Sequence, residues 1–467
     1  MRLHLAGQPL HRRPFYGLGV EADGVLYNEN NEKSGVTEEE VEKVEGRIVT
    51  LRPSIARMFF QVQNICAELD PDNLDPDAGE LQRNLRMLSV LREAGASVNA
   101  VLFQPFDVAT ERLPDAVRCM LRILRYLRAE KGCDHIRWLT LYNEPESAFP
   151  HDSDLVRRVF SEKKRKGHHR WEDYVYLNHL AQEQLEEQGL YPDLRLVVAD
   201  TVWGAGMRRE RMQLSADAFG EMDVTYGYHN YNPEAPRYYE TAHPDFRYDG
   251  MGAEAAEFRD IVGPEPPLMV WECNLAGTGF GTYYPGVDEH GCCVTETRRA
   301  GARLTDKIFD AIRGGVDGFC LWCVGDMYFY GDPSRTGVMR FGLWRYKYEG
   351  WRVRPFAHYY AALCRVLQPK CSFRKIHGLE APVNGLAWER NASQSLALVN
   401  NGPAEKEVAL EAGKAFQPDR QLRIRPDDIT PETKFPLDNW EDCETAGGRE
   451  MQLEGYELRI LSEGADD

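Results

Sequence analysis

The stretch Trp138-Leu-Thr-Leu-Tyr-Asn-Glu-Pro-Glu146 combines a strand-like apolar segment with acidic residues. Its first five residues have the composition of a short buried strand, and two glutamates follow where that strand ends. An acid at the end of an apolar strand is costly to bury unless it is paired or takes part in chemistry. Similar strands recur on both sides of this stretch, and their alternation with helices decides the fold.

Strands and helices alternate through the first three-quarters of the chain. Between two of the strands, Leu81, Leu85, Leu88 and Leu91 fall on one helical face that stops at Gly95. Eight strand-helix units favour an α/β fold of the (β/α)8 barrel type, with insertions in the loops that follow the strands. The predicted strands cover residues 15–20, 55–60, 98–103, 138–142, 196–200, 224–229, 268–273 and 318–324.

The last quarter of the chain has a different pattern. After a predicted helix over residues 351–367, short strand-like segments are separated by Asn, Gly, Pro and Asp, without helices between them. We therefore predict a barrel over residues 1–365 and a small all-β, sandwich-like domain over residues 366–467.

A doubly wound open sheet is the rival fold. Gly17-Leu-Gly-Val-Glu-Ala22 matches the spacing of a dinucleotide-binding turn, which would make the protein a nicotinamide-dependent oxidoreductase. That function requires a helix N-terminus at the pyrophosphate, and the segment Asp23-Gly-Val-Leu-Tyr-Asn28 has the character of a turn instead. The barrel is the favoured interpretation.

Composition limits the partners. The 467 residues include 56 Lys and Arg against 74 Asp and Glu, a net charge of -18, so nucleic acid and anionic membrane surfaces are disfavoured. No apolar run approaches the roughly 18 residues of a membrane-spanning helix. The N-terminal residues lack a signal-peptide pattern, and several of the eleven cysteines lie in apolar stretches, so we expect a cytoplasmic protein. The sequence does not indicate the oligomeric state.

A second acid ends the seventh predicted strand, in Met269-Val-Trp-Glu272. Because the reacting groups of a (β/α)8 barrel lie where its strands end, Glu144 and Glu272 are expected nearly opposite each other across the barrel mouth. Glycoside hydrolysis needs such a pair. One carboxyl is protonated and supplies the proton of the leaving oxygen, while the other is ionised and attacks the anomeric carbon or activates water.

With these residues the sequence resembles the retaining (β/α)8 glycosidases of clan A, which include cellulase-like and β-xylosidase-like families. The resemblance covers residues 15 to about 365 and rests on the order of the motifs and on the 272 - 144 = 128 residues between the two glutamates. It implies that Glu144 is the acid/base and Glu272 the nucleophile. It also implies supporting or substrate-binding roles for Arg57, Asn143, His229, Tyr231 and Trp322. The chain departs from some families of the clan at Gln104, where they carry a histidine.

Other candidates follow from position alone. Trp203 after the fifth strand and Tyr328 after the eighth are predicted to stack on a sugar. The basic run from Lys163 to Arg170 is either a solvated surface or a contact for an acidic sugar. His168 and His169 are adjacent and belong to no zinc motif, so no metal or other cofactor is expected.

These residues together predict a retaining glycoside hydrolase that acts on short oligosaccharides or glycosides. Exo-action is expected, because a cytoplasmic enzyme meets imported sugars, and because acidic segments at residues 28–32 and 70–77 follow the first two strands at the mouth. The alternative is a carbohydrate-binding barrel that has lost catalysis. The sugar, its linkage and its anomeric configuration stay open.

Overall fold

A computed structural model describes residues 1–10, 13–102, 108–150, 169–202, 205–231, 250–281, 284–328, 338–411, 416–443 and 449–463 of the chain. Eight parallel strands in this part of the chain close into a barrel in the order β2 to β9, so the predicted (β/α)8 barrel is confirmed. A first strand, β1 (Arg2–Pro9), precedes them. The barrel strands are β2 (Gly17–Glu21), β3 (Ile55–Phe60), β4 (Ser97–Leu102), β5 (Ile136–Thr140), β6 (Arg195–Thr201), β7 (Thr225–Asn230), β8 (Leu268–Cys273) and β9 (Gly318–Leu321).

Helices connect successive strands. The side chains of Thr37 and Glu40 form a reciprocal capping box that fixes the start of α2, and Gly95, with φ of 83°, follows the end of α3 as predicted. The helices are α1 (Glu29–Lys33), α2 (Glu38–Leu51), α3 (Gly79–Glu93), α4 (Leu113–Ala129), α5 (Trp171–Glu187), α6 (Ala205–Phe219), α7 (Met251–Val262), α8 (Ala300–Arg313) and α9 (Pro355–Val366). Within the described residues, no helix is both long and apolar enough to span a bilayer.

The glycine-rich stretch at the start of the barrel serves strand packing. Residues 17–21 form β2 inside the closed barrel, and a 3-10 turn over Gly24–Tyr27 follows. A Cβ on Gly19 would lie 1.9 Å from the carbonyl oxygen of Ile55, so a side chain cannot fit there. The closed barrel shows that the doubly wound alternative is wrong, and the segment directly after β2 is a 3-10 turn where a dinucleotide-binding fold would have an α-helix N-terminus.

The lower part of the barrel interior is apolar. We call this cluster the lower layer, and it packs the indoles of Trp138 and Trp271 edge to face, with ring centroids 5.4 Å apart. Its other members contribute aliphatic, thioether, thiol and phenol groups. The lower layer consists of Tyr16, Ile55, Trp138, Val197, Met269, Trp271 and Cys320.

Nine strands form a second sheet, and β10 (Met327–Tyr328) and β11 (Val338–Met339) form a separate pair in the last barrel loop. The nine strands are β1, β12 (Ser372–His377), β13 (Val383–Arg390), β14 (Ser393–Asn400), β15 (Lys406–Leu410), β16 (Arg420–Ile424), β17 (Trp440–Asp442), β18 (Arg449–Leu453) and β19 (Leu458–Ser462). Their order in the sheet is β17-β16-β19-β14-β13-β12-β1-β15-β18. Side chains of β15 and β18, such as Val408 and Leu453, share a core with Leu396 and Leu398 of β14, which lies four positions away from β15 in that order. The sheet therefore folds over itself as a sandwich-like domain, as predicted.

The N-terminal strand belongs to this second domain. β1 pairs antiparallel with β12, where His4 is opposite His377, and parallel with β15. The prediction that residues 1–365 form one unit is therefore corrected at its start, because a pairing between residues so far apart in sequence leaves no local pattern. Polar contacts such as Tyr359 Oη to the Tyr456 carbonyl (2.7 Å) join the domain to the barrel.

Candidate active site

Arg57 is the centre of the candidate site. It lies two residues beyond Ile55 on β3, so its side chain is on the same inner face and one step closer to the mouth. The guanidinium is fully buried and donates through Nη1 to Glu272 and, at 3.2 Å, to Glu21 Oε2. Through Nη2 it donates to Asn143 Oδ1 (2.6 Å) and to Asp200 Oδ2 (2.8 Å). We call the ionisable residues at this level the upper layer: Glu21, Arg57, Asp200, His229 and Glu272.

A β-bulge brings Glu272 into the barrel. Successive side chains of a regular strand point to opposite faces, yet Trp271 belongs to the lower layer and Glu272 contacts Arg57. The register of β8 shifts between Val270 and Cys273 in its pairing with β9, and the extra residue allows both side chains to face inward. The hydroxyl of Tyr231, just after β7, donates to Glu272 Oε2 at 2.7 Å. Arg57 and Tyr231 thus hold different oxygens of one carboxylate.

Glu144 follows β5 in a strained backbone conformation. Its φ of 51° and ψ of 61° are left-handed, which costs a non-glycine residue roughly 1–2 kcal/mol. Such strain is found where the surrounding structure requires one side-chain direction, as at functional sites. The loop is anchored by Glu146, whose Oε1 accepts from the Val202 amide at 2.8 Å and from the Thr201 hydroxyl. The side chain of Glu144 is 28% exposed, against 5% for Glu272.

His229 joins the two glutamates. Its Nδ1 lies 3.1 Å from Glu144 Oε1 and 3.4 Å from Glu272 Oε2, and its Nε2 lies 3.1 Å from Asp200 Oδ1. Burial lowers the pKa of His229, but the charges of Glu272 and Asp200 outweigh burial and raise that pKa to about 10. At neutral pH the ring is therefore an imidazolium that presents both N–H groups to carboxylates.

The other carboxyls of the upper layer differ in charge. Burial raises the pKa of Asp200, but Arg57 and His229 outweigh burial, so the pKa falls below its usual range. For Glu21 burial dominates, and its pKa is well above the usual range despite the contact with Arg57. Burial also raises the pKa of Glu272, against the opposing effect of His229 and Arg57. Asp200 is thus ionised at neutral pH, whereas burial favours the neutral form of Glu21.

The catalytic candidates lie close enough to be considered as metal ligands. Among the residues that the structure describes, Glu144, His229 and Glu272 are the group whose ligand atoms lie within 4.8 Å of one another. Both ring nitrogens of His229 lie 3.1 Å from a carboxylate oxygen, Nδ1 from Glu144 and Nε2 from Asp200. The three side chains thus form one hydrogen-bonded network around the His229 ring.

Aromatic residues line one side of the mouth. Trp322, just after β9, lies with its ring centroid 6.2 Å from that of Phe59, and its amide donates to the Cys273 carbonyl at 2.9 Å. Tyr231 and Phe341 belong to the same apolar cluster. Phe280, in the loop after β8, is partly exposed and lies 5.3 Å from the Tyr231 ring. Trp322 and Phe59 are buried in this wall, and Phe280 is the aromatic member named here that keeps ring surface on which a sugar can stack.

The structure brings most of the predicted site residues together around one opening. These are Arg57, Asn143, Glu144, His229, Tyr231, Glu272 and Trp322. Trp203, Gln104 and the basic residues 163–168 lie outside the described residues. Tyr328 is buried against Tyr346, with ring centroids 5.2 Å apart, and has little surface to offer a sugar.

Sequence reasoning missed Asp200 and Glu21. Asp200 ends the fifth predicted strand, so the signal that identified Glu144 and Glu272, an acid at the end of an apolar strand, was present there too. Glu21 ends the first barrel strand in the same way.

Comparisons by sequence give no relative: no protein-family model matches the chain, and no curated protein does. Comparison with solved structures gives many similar folds. SrfJ from Salmonella typhimurium has 10% identity and a TM-score of 0.67 over 99% of this chain and 93% of that one. A GH30 endoxylanase from Clostridium papyrosolvens has 11% identity and a TM-score of 0.60, with both chains fully covered. A β-xylosidase from Caulobacter crescentus has 13% identity and a TM-score of 0.60 over 99% of each chain.

The similarity spans the barrel and the second domain together. The resemblance to clan A glycosidases that the motifs indicated is thus confirmed at the level of the fold. Because one fold hosts many activities, the chemistry depends on the residues of the site itself.

Proposed function

We propose that the protein is a retaining glycoside hydrolase in which Glu272 is the nucleophile and Glu144 the acid/base. The observation that carries the proposal is the pair itself. Two carboxyls from the ends of the fourth and seventh barrel strands each place one oxygen against Nδ1 of His229, and these two oxygens lie within 4.8 Å of each other.

The distance favours retention of configuration. Retaining enzymes hold their two carboxyls about 5 to 5.5 Å apart, whereas inverting enzymes leave roughly 6.5 to 9.5 Å for a water molecule. With the shorter spacing, Glu272 attacks the anomeric carbon while Glu144 gives its proton to the departing oxygen. Water then attacks the glycosyl-enzyme ester, and Glu144 takes a proton from that water as the ester bond to Glu272 breaks.

The surroundings of each glutamate suit its role. Arg57 and Tyr231 bind separate oxygens of Glu272, which fixes the direction of attack. Arg57 and the His229 imidazolium also balance the charges of Asp200 and an ionised Glu272. Glu144 is the more exposed of the two glutamates, as a group that meets both a leaving group and water must be.

The substrate class is part of the same proposal. Among proteins with this fold are a xylanase, a β-xylosidase and an endo-β1,6-glucanase, and the partly exposed ring of Phe280 beside Tyr231 suits a pyranose ring. We infer short oligosaccharides or glycosides, trimmed from one end in the cytoplasm. The support for exo-action is the position of the acidic segments 28–32 and 70–77, which follow β2 and β3 on the side of the mouth. The mechanism uses no cofactor.

A panel of aryl glycosides tests the activity, with Glu272→Gln as the inactive control. For the substrate that is cleaved, proton NMR at early times is expected to show a product with the anomeric configuration of the substrate. The opposite anomer would contradict the double displacement. An end-labelled oligosaccharide series tests exo-action: stepwise loss of one terminal unit is expected, and early release of internal fragments contradicts it.

A further inference from the structure

Asp200 reaches the active site through a local irregularity of β6. Leu196 and Val198 pack in the main core outside the barrel, and Val197 belongs to the lower layer inside it. Strict alternation would therefore point residue 200 outward. The register of β6 against β7 shifts between Ala199 and Thr201, and Asp200 is the extra residue, with φ of 42°. This bulge turns its carboxylate into the barrel.

The neighbouring strand leaves room for that carboxylate. Gly227 lies opposite the bulge on β7, and a Cβ there would lie 2.7 Å from Trp271 Cδ1 and 3.2 Å from Asp200 Oδ1. A larger residue would press on both the lower layer and Asp200. The bulge on β6 turns Asp200 inward, and the missing side chain at Gly227 leaves space for its carboxylate.

Both oxygens of Asp200 are committed to cations. Oδ2 accepts from Arg57 Nη2 at 2.8 Å, and Oδ1 lies 3.1 Å from His229 Nε2, with all three side chains fully buried. Each cation contacts a catalytic candidate with its other side: Arg57 contacts Glu272, and His229 contacts Glu144 and Glu272. Asp200 itself is not among the groups that face the opening.

We propose that Asp200 is a positioning residue, whose two oxygens hold Arg57 and the imidazolium of His229 against the catalytic carboxylates. The expected effect of Asp200 on rate rests on the proposed function, whereas the effect of Asp200 on the titration of His229 is a property of the free protein. Three carboxylates face His229, each from a different strand or strand end: Asp200 on β6, Glu144 after β5 and Glu272 on β8.

Glu21 provides a matched control. It is fully buried and contacts the same Arg57, at Nη1, whereas Asp200 contacts both Arg57 and His229. Glu21→Gln therefore alters one contact of Arg57 and leaves the contact of Asp200 with His229 in place. Asp200→Asn removes a negative charge. The amide also turns one NH2 group toward either Arg57 Nη2 or His229 Nε2, where a donor then faces another donor.

Activity is the first readout. With the aryl glycoside that the wild type cleaves, Asp200→Asn is expected to lower kcat about 10²-fold, with KM within about threefold, because the reacting groups and not the sugar contacts are displaced. Glu21→Gln alters one contact of Arg57 and none of His229, so its loss of kcat is expected to be at least about tenfold smaller than that of Asp200→Asn. Equal losses in the two variants, or an Asp200→Asn variant with the wild-type kcat, would overturn the proposal.

The titration of His229 is the second readout and does not depend on turnover. In 13C-histidine-labelled protein, with the resonance assigned by His229→Gln, Asp200→Asn is expected to lower the titration midpoint by about one unit or more, and Glu21→Gln by much less. An unchanged midpoint in Asp200→Asn overturns the proposal. If the wild type cleaves no glycoside, a lowered midpoint still supports the role of Asp200, and the proposed function alone fails.

Folding of the variants is checked by thermal unfolding. If Asp200→Asn does not fold, Asp200→Ser takes its place. A further measurement needs no variant: the 15N spectrum of the wild-type protein at pH 8 is expected to show His229 protonated on both ring nitrogens. A neutral His229 ring at pH 8 would contradict the proposal that Asp200 stabilises the imidazolium.

Discussion

The two layers inside the barrel lie one above the other and differ in almost every physical property. The lower layer buries two indoles together with aliphatic side chains, and full burial of one aliphatic side chain is worth about 1.5–3 kcal/mol. The upper layer buries Arg57, His229 and Asp200 completely, where removal of an ion from water costs several kcal/mol before its partners compensate. Ile55 and Arg57, two residues apart on β3, mark the change from one layer to the other.

The difference indicates which layer supports the fold and which supports chemistry. An apolar layer needs only volume and shape, whereas the upper layer depends on particular groups, backbone bulges at β6 and β8, and a left-handed Glu144. Substitutions in the upper layer should therefore act on rate and substitutions in the lower layer on stability.

The largest expected effect is at Glu272, the carboxylate of the upper layer that Arg57 and Tyr231 hold. Glu272→Gln removes the nucleophile and is expected to lower kcat by at least about 10⁴-fold. Its melting temperature should change little. Glu272→Gly should regain slow turnover with azide and give a product of inverted configuration, and a variant that keeps wild-type turnover would remove Glu272 from the mechanism.

Glu144→Ala sharpens the distinction between the two glutamates. A phenolate with a low pKa leaves without a proton, so kcat/KM for activated aryl glycosides should fall far less than for natural substrates, where the loss is about 10²–10⁴-fold. A series of aryl leaving groups measures this dependence. If activated and unactivated substrates lose the same factor, Glu144 is not the acid.

Trp138→Ala tests the lower layer. The indole packs against Trp271 and Tyr16, and its removal leaves a cavity that costs about 3–5 kcal/mol of unfolding free energy. Denaturant unfolding measures this loss, and kcat per folded molecule is expected to stay within about threefold. A large loss of kcat without a loss of stability would show that the layers are not separable.

The smallest effect is the dependence of stability on alkaline pH. The pKa of His229 is raised from 6.5 to about 10 on folding, chiefly by Glu272 and Asp200 against the effect of burial. The folded state therefore binds this proton more tightly, and the resulting stabilisation is complete below about pH 6.5 and is lost as pH rises through about 10. Melting temperatures from pH 7 to 10.5 should fall more steeply for the wild type than for His229→Gln; parallel curves contradict the raised pKa.

The barrel was largely predictable from sequence because its strands are buried on both faces. Such strands appear as continuous apolar runs, and β3, β4, β7 and β8 begin and end within one or two residues of the prediction. The acids Glu144 and Glu272 were equally visible, since each follows or ends such a run. Features that a local apolar pattern encodes, such as these strands and the acids at their ends, could therefore be predicted from the sequence.

The features that escaped prediction depend on long-range pairing. Whether Asp200 faces in or out is decided by a one-residue register shift between β6 and β7, which no apolar pattern encodes. The pairing of β1 with β12 likewise joins residues that are far apart in sequence, such as His4 and His377, with all eight barrel strands between them in the chain. His229 could be named from its motif, but its charge follows only from the carboxylates that three other strands bring to it.

The most direct test of the proposed mechanism is to identify the residue that becomes glycosylated. A 2-fluoro glycoside of the preferred sugar slows hydrolysis of the intermediate, so intact-mass measurement followed by peptide mapping can locate the adduct. We predict one adduct per chain, on Glu272, and none in Glu272→Gln. An adduct on Glu144, Glu21 or Asp200, or turnover of the preferred substrate without any adduct, would contradict the assignment of Glu272 as the nucleophile.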